Sequence, residues 1–478
     1  MADTLTADQQ AACTAFAAWL AEPAAGRPFV LSGYAGTGKT FLSMRFLAQA
    51  EACGLCWTVV APTHKAVGVL RSHLLAAALA PTWYPSTIHR LLRLRLRRQG
   101  DLERCEQSEH TAAALEHLGL VLIDEASMVD SQLLEISLRC AHPFGTRLVF
   151  VGDPAQLPPV GEPCSPVFAL GRARTMALRQ VVRHRGPVLR LAQGIREQAL
   201  PCSRPPPLPP LQGASGRVAL LDRREWLLEA QAALRRSAET DNPDLARILC
   251  YTNRSLERLV PIARRALHGA MADQLPVLPG EVLISRSAVM APACREGEAA
   301  AEEPDMVLGS NRELVVRDVA PERFDLRDLG VAHATPIDTL TATVEAGDGP
   351  LNLRLLPPAG SAARQSLDLV LERLRAEARA MAADQGKAAA RGLWRQFFVV
   401  RDAFAALGPA AVLTVHRSQG STFAQVFVDA DVFWPRDPLL RRQLVYVAVS
   451  RASEAVALVA APAGPQEQQR WQHWLSEA

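Results

Sequence analysis

Phe29-Val30-Leu31-Ser32-Gly33-Tyr34-Ala35-Gly36-Thr37-Gly38-Lys39-Thr40 decides the fold of this 478-residue chain. It opens on apolar, β-prone residues, passes through glycines, and continues from Phe41 to Ala52 as a helix-forming stretch. Gly33 to Thr40 fits G-x-x-x-x-G-K-[ST], the order a phosphate-binding loop needs. Gly33, Gly36, Thr37 and Gly38 let backbone N–H groups close around phosphates. The Lys39 ammonium reaches the outer phosphates, and Thr40 offers a hydroxyl to Mg²⁺. The following helix aims its positive N-terminus at the anion. Lys39 is one of three lysines beside 49 arginines. A chain that uses arginine nearly everywhere else keeps here a compact ammonium that a planar guanidinium cannot replace. The stretch implies a bound nucleoside triphosphate on an α/β scaffold.

Outward from the loop, Trp57–Ala61, Leu120–Ile123 and Leu148–Val151 are short apolar runs bounded by turn or polar residues. They fit buried parallel strands of a doubly wound sheet. Leu120–Ile123 ends in Asp124-Glu125, an arrangement in which Asp124 would hold Mg²⁺ and Glu125 would polarise an attacking water. Gly152-Asp153-Pro154-Ala155-Gln156 follows the next strand, and Gln156 at that tip is placed to sense a γ-phosphate, because ligands gather outside the carboxyl ends of such strands. A second alternation begins at Ala246–Cys250, pauses, and resumes at Ala411–Val415, Val426–Val428 and Ala455–Val459. Two α/β domains follow, the second interrupted by an insertion.

Three segments break the rhythm. Leu92–Arg97 alternates leucine and arginine before Gln99-Gly100-Asp101, which predicts a strand entering a hairpin with one arginine face. Residues 201–210 hold six prolines and read as a stiff surface linker. Residues 281–404 start with strand-like Glu281–Ile284 and Glu313–Val316, then give a helix around Leu367–Met381, with Glu296–Glu303 as a loose loop. In that region Trp394, Phe397 and Phe398 fit a helix core better than a base-stacking platform.

Bulk composition excludes little. Net charge of +3 with 49% hydrophobic and 21% charged residues describes a globular chain. No apolar run approaches the ~20 residues of a membrane span, and the N-terminus lacks a leader pattern, so a cytoplasmic protein without membrane contact is expected. Nine scattered cysteines suit a reducing compartment. The three lysines exclude two activities outright. None lies in the N-K-x-D that reads guanine. Thr37, Thr63 and Gln385 stand two residues before them, so a nuclease of the D/E-x-K type is absent.

Taken in order, the motifs resemble those of superfamily 1 helicases of the RecD-like and Dda-like branch. The resemblance runs from Leu5-Thr6-Ala7-Asp8-Gln9 through the phosphate loop to Ala61–Val67, Ser86–Arg90, Asp124–Asp130, Gly152–Val160, Leu178–Arg183, Thr414–Thr422 and Tyr446–Ala452. It implies two RecA-like parallel-sheet motor domains, the first over 1–190 with a β-hairpin insertion at about 92–116. The second would span 191–280 and 405–478, with 281–404 as an inserted SH3-like domain carrying a helical appendage. By the same resemblance Gln9 reads adenine, Gly420 lies in the nucleotide cleft, and Arg183 and Arg451 reach the γ-phosphate from opposite sides. Thr63, His64, Lys65, Thr87 and His89 on the first domain, with Thr414 and His416 on the second, would grip strand phosphates, which positions a strand without reading its sequence. The hairpin would meet duplex DNA, and five arginines within Arg90–Arg98, Arg93 and Arg95 among them, suit that face or a solvated one. One departure stands out: no aromatic residue occurs between Tyr84 and Phe144, so the hairpin has no aromatic wedge.

The implied activity is ATP-dependent, Mg²⁺-assisted movement 5′→3′ on single-stranded DNA with unwinding at single-strand/duplex junctions, by a monomer that meets single-strand-binding, recombination or replication proteins. An RNA helicase, or a nucleic-acid-dependent ATPase switch without unwinding, remains open at this point, because phosphate contacts do not distinguish the sugars.

Overall fold

The strands expected around the phosphate loop all form, and all pair in parallel. The computed structural model describes residues 5–23, 27–99, 102–181, 186–213, 216–290, 306–332, 334–346 and 349–476, apart from the side chains of 96–99, 102–104 and 476. Arg183, the Glu296–Glu303 stretch and the Arg97 side chain lie outside the described residues.

Phe29–Gly33 is flanked by Arg147–Gly152 and Arg174–Leu178. Trp57–Ala61 is flanked by Ser86–Thr87 and Leu120–Ile123, and the latter joins Arg147–Gly152 to complete a six-stranded sheet. Alternate residues feed two cores. Phe29, Leu31, Val59 and Leu122 pack under the helices Ala7–Ala21, Lys39–Ala52 and His64–Ala76. Val30, Val60, Ile123 and Phe150 pack under Ser131–Ala141. Near-continuous apolar strands are what a sheet covered on both faces requires.

The second sheet has the order Val412–Thr414, Ala246–Cys250, Phe423–Val428, Ala452–Val459, Gly216–Leu221, Leu208–Gly213. Its first five strands run parallel and the last is antiparallel. Here the proline-rich stretch departs from expectation: Leu208, Pro209 and Pro210 belong to that edge strand rather than to a linker. An edge strand pairs on one side only, so prolines missing an N–H are tolerated there.

The insertion contains a five-stranded antiparallel sheet, in the order Pro350–Arg354, Ile337–Glu345, Glu313–Phe324, Val282–Ser285, Leu407–Pro409. Its two edges meet through the Leu355–Ala405 bridge, with Ala405 N–H donating to Arg354 O at 2.7 Å and Leu356 N–H to Ala405 O at 3.0 Å. The two edges of the sheet therefore meet at this point, as they would in a small barrel. The helices Ala362–Gln385 and Arg391–Asp402 pack together, and Phe397 and Phe398 are buried in their shared core, as the spacing predicts.

Arg95–Gln99 and Leu102–Glu106 pair as a two-stranded ribbon. The strand starts later than the leucine–arginine alternation implies. Leu91 and Leu92 are buried at the end of the short helix Ile88–Leu91. Arg93 turns the chain with φ 52°, and its carbonyl accepts the hydroxyls of Ser108 and Thr111. By contact density the chain forms two units: Met1–Arg95, Gln107–Leu267 and Ala411–Ala478, which hold both parallel sheets, and Leu96–Glu106 with His268–Ala410. No helix among the described residues is long and apolar enough to cross a membrane.

Candidate nucleotide cleft and strand-tip grips

The phosphate loop is built from backbone that only glycine adopts cheaply. Gly36 and Gly38 sit at φ 80° and 85°, and the left-handed conformation costs other residues about 1–2 kcal/mol. At Gly33 a Cβ would lie 2.7 Å from Thr37 Oγ1 and 3.0 Å from Leu178 Cβ, so no side chain fits. The Thr37 hydroxyl donates to Tyr34 O at 2.8 Å. Lys39 Nζ donates to Gly33 O at 2.7 Å and Tyr34 O at 3.0 Å, holding the ammonium across the loop mouth. Thr40 is half-buried on the first turn of the helix.

Gln9 reaches this loop from the first helix. Thr6 and Gln9 form a reciprocal capping box, and Gln9 Nε2 donates to Thr37 O at 3.1 Å. The helix is fixed by Phe16, whose ring stacks on Phe46 at 4.1 Å and meets Phe29 edge-on at 5.3 Å. Each such pair contributes about 0.5–1.5 kcal/mol beyond burial. Asp8 on the same helix accepts the N–H groups of Arg179 and Gln180 at 2.8 and 3.1 Å, which hold its carboxyl below the usual range. Those bonds fix the backbone at Arg179 and Gln180.

Asp124 and Glu125 follow the strand as expected, but with a kink. Glu125 has φ 52° and ψ 44°, while its N–H donates to Asp124 Oδ1 at 2.8 Å. A non-glycine residue held there stores strain of order 1–3 kcal/mol, and such strain collects at functional sites. Burial pushes Asp124 up to about 7, the neighbouring Glu125 carboxylate adds to this, and Lys39 partly offsets it. A desolvated Asp124 beside a second carboxylate, with one ammonium near it, leaves the site short of positive charge. Gln156 is buried, and its Oε1 has no protein partner.

Arg451 lies between the helix Pro438–Ser450 and the strand Ala452–Val459 of the second sheet. Its guanidinium is buried, and its hydrogen bonds go to neutral oxygens: Val447 O, Ser421 O and Ser450 Oγ at 3.2–3.3 Å. Gly420 has φ 74°, and a Cβ there would meet Ala66 Cβ at 3.1 Å and Thr63 Oγ1 at 3.5 Å. The turn after Thr414 therefore lies directly against the first-sheet segment that begins at Thr63.

The phosphate-grip candidates divide by what already holds them. Thr63 and Thr87 cap the helices His64–Ala76 and Ile88–Leu91, accepting from Ala66 N at 3.3 Å and Arg90 N at 3.4 Å. Thr414 accepts Arg417 N–H at 3.4 Å. Burial holds His89 and His416 below the ordinary imidazole range, with Asp130 partly offsetting it for His89. Both are neutral near pH 7, suited to hydrogen bonding rather than to charge pairing. His64 is half-buried at the start of its helix. Lys65 sits 4.8 Å above the Phe423 ring and 3.9 Å from Asp244 Oδ1, both on the second sheet's side. Arg93 and Arg95 are exposed.

Sequence inspection missed how these parts are joined. Tyr446 OH accepts Ala35 N–H and donates to Asp153, and Gln419 Nε2 donates to Leu157 O. Tyr446 and Gln419 lie inside the quoted motifs, but their partners stand 411 and 262 residues away in sequence, so no local pattern reveals the pairing.

Residues 4–200 match the profile of an AAA domain family, and residues 409–459 match that of the UvrD-like helicase C-terminal domain. The ATP-dependent DNA helicase Dda of enterobacteria phage T4 is 25% identical over 88% of this chain and 92% of its own length. Across these matches the chain is similar to the Dda/RecD-like superfamily 1 helicases. The ATP-dependent RecD2 DNA helicase of Deinococcus radiodurans is 35% identical to this chain over 35% of its length, and an uncharacterised mimivirus protein, R530, is 31% identical over 30%. The matched regions span only 22% and 31% of those two relatives. A solved Pif1 helicase from Bacteroides, in complex with ADP-AlF3 and ssDNA, aligns over 99% of this chain and 98% of its own at 14% identity, with a TM-score of 0.46.

Proposed function

We propose that this chain is an ATP-dependent DNA helicase that moves 5′→3′ on single-stranded DNA and separates duplex at its junction with a single strand. One observation carries the reading. A phosphate loop with Lys39, Asp124, Glu125 and the unpartnered Gln156 on one sheet shares a compact unit with a second sheet that offers buried Arg451. Triphosphate held between them is touched from both sides, so its binding and loss can move one sheet against the other. Strand grips at Thr63, His64, Thr87 and His89 on one side, and Thr414 and His416 on the other, then advance alternately.

The donor set also fits a hard divalent cation. Thr40 and Asp124 offer oxygen, and Asp124 is desolvated beside the Glu125 carboxylate with only partial compensation from Lys39. Those two residues would hold Mg²⁺, which supplies charge neutralisation on the phosphates when bound. Glu125 takes a proton from the attacking water, Lys39 and Arg451 stabilise charge that develops on the transferred phosphoryl, and Gln156 orients the water or the γ-phosphate. By resemblance Arg183 adds a second arginine and Gln9 reads the base.

The test is unwinding of duplexes that bear a 5′ or a 3′ tail, with matched DNA and RNA oligonucleotides as competitors. Unwinding from a 5′ DNA tail is the expected result. Unwinding confined to 3′ tails overturns the polarity, and DNA-stimulated ATP hydrolysis without strand separation from either tail overturns the helicase reading.

A further inference from the structure

The Tyr446 hydroxyl has no place in the hydrolysis scheme, yet it reaches from the helix Pro438–Ser450 to two points beside the first sheet. It accepts Ala35 N–H at 3.0 Å, inside the phosphate loop, and donates to Asp153 Oδ2 at 2.6 Å. Asp153 is buried at the tip of Arg147–Gly152, and its other oxygen accepts Ala155 N–H at 3.0 Å. The turn this fixes runs to Leu157, whose carbonyl accepts Gln419 Nε2 at 3.3 Å. Gln419 directly follows the His416–Ser418 turn that carries half of the proposed strand grip. On the same loop, Tyr34 lies beneath the Arg196 guanidinium, 3.6 Å from its ring centroid. Hydrogen bonds, joined by the short chain stretches 153–157 and 416–419, thus lead from a phosphate-loop amide to the turn that would hold DNA.

An amide has one hydrogen to give. A phosphate oxygen entering the loop competes with the Tyr446 hydroxyl for Ala35 N–H, and charged acceptors form the stronger bond. The hydroxyl must then find another partner, and Asp153 with its turn responds. We propose that Tyr446 is a positioning residue that couples phosphate-loop occupancy to the strand grip through Asp153, Leu157 and Gln419. The inference rests on the helicase reading above and assigns the path by which its two sites communicate. Such coupling is reciprocal: the factor by which nucleotide changes DNA affinity equals the factor by which DNA changes nucleotide affinity.

The experiment measures oligo-dT affinity by fluorescence anisotropy, with and without Mg²⁺ and adenylyl-imidodiphosphate, for the full chain and for Tyr446→Phe, Gln419→Met and the double variant. The wild-type ratio should lie in the ordinary allosteric range of about 5–150-fold, and each single variant should bring it to within about twofold of unity. The double variant should change it no further, because both substitutions cut one path. Gln419→Met leaves the phosphate loop untouched, so it carries the test if Tyr446→Phe does not fold. A wild-type ratio retained in a folded single variant overturns the inference alone, even if both affinities and the melting temperature fall. A wild-type ratio of unity overturns the helicase reading as well.

Discussion

Phe29–Gly33 and Gly216–Leu221 hold the same place in their two sheets, fifth of six in the order, and they end in opposite ways. The first runs into a glycine loop and a helix whose cap, Gly38, offers no side-chain hydrogen bond. The second runs into Asp222, whose carboxylate accepts the N–H groups of Arg224 and Glu225 at 2.8 and 2.9 Å. Every helix start leaves amides without partners and a partial positive charge. In the second sheet the chain fills that need itself. In the first it leaves the need open, and a triphosphate can answer it. At matching strand ends, one sheet is thereby left open to an anion and the other is closed by its own carboxylate.

The largest effects should come from breaking the open end. Lys39→Ala should remove ATP hydrolysis while circular dichroism stays native, since Lys39 bonds only to loop carbonyls in this structure. Wild-type turnover in the variant would deny the loop its role. Next, Arg451→Ala tests whether the second sheet serves the first. A cation supplied to a transferring phosphoryl is worth about 10³–10⁵ in rate, and single-turnover hydrolysis should fall by that order while nucleotide still binds. A loss below tenfold would leave Arg451 as a structural arginine of the Ser421 turn. Glu125→Gln keeps shape and loses charge, so steady-state hydrolysis should drop by about 10²-fold or more with DNA binding retained. Turnover within twofold of wild type would remove Glu125 as the base.

The contrast between the two ends was visible in sequence only on one side. Gly33–Thr40 and Asp124-Glu125 are local signatures, since the glycines, the ammonium and the strand-end acids are set by neighbours in the chain. Asp222 and the strand before it carry no such signature, and only the sheet order marks that strand as the counterpart of Phe29–Gly33. The leucine–arginine alternation misplaced a strand start because Leu91 and Leu92 face the first sheet's core from a helix, where a strand-like period is accidental. Proline content hid Leu208–Gly213 because composition cannot tell a linker from an edge strand. The Tyr446 bridge was invisible for a simpler reason, namely that its partners are distant in sequence.

A smaller effect is expected at the hairpin. Apart from Lys65, which lies against Phe423 and Asp244, the grips described near the sheets are mainly hydroxyls and imidazoles, whereas Arg93 and Arg95 are exposed cations. Replacing Arg93, Arg95 and Arg97 with Gln should flatten the log K against log[salt] slope by roughly 0.7 per lost contact on single strands and 0.9 on duplex. An unchanged slope on forked DNA would make this ribbon a solvated face.

The smallest effect returns to the closed end. Asp222→Ala strips the cap from Arg223–Glu239, a change that costs about 1 kcal/mol, within a range of about 0.5–2. Hydrogen exchange should accelerate in the first turn, at Arg224 and Glu225, while the turns around buried Trp226 and Ala230 stay protected by packing. Asp222→Asn should restore most of the protection, since an amide oxygen can still accept both N–H groups. If Asp222→Ala exchanges at the wild-type rate, the carboxylate is not what satisfies this helix, and the contrast with the phosphate loop fails at its quiet end. Even when uncapped, the site should not acquire triphosphate binding. Leu221-Asp222-Arg223 has no glycines to wrap backbone around a phosphate, and a vacant helix start is only part of what Gly33 to Thr40 provides.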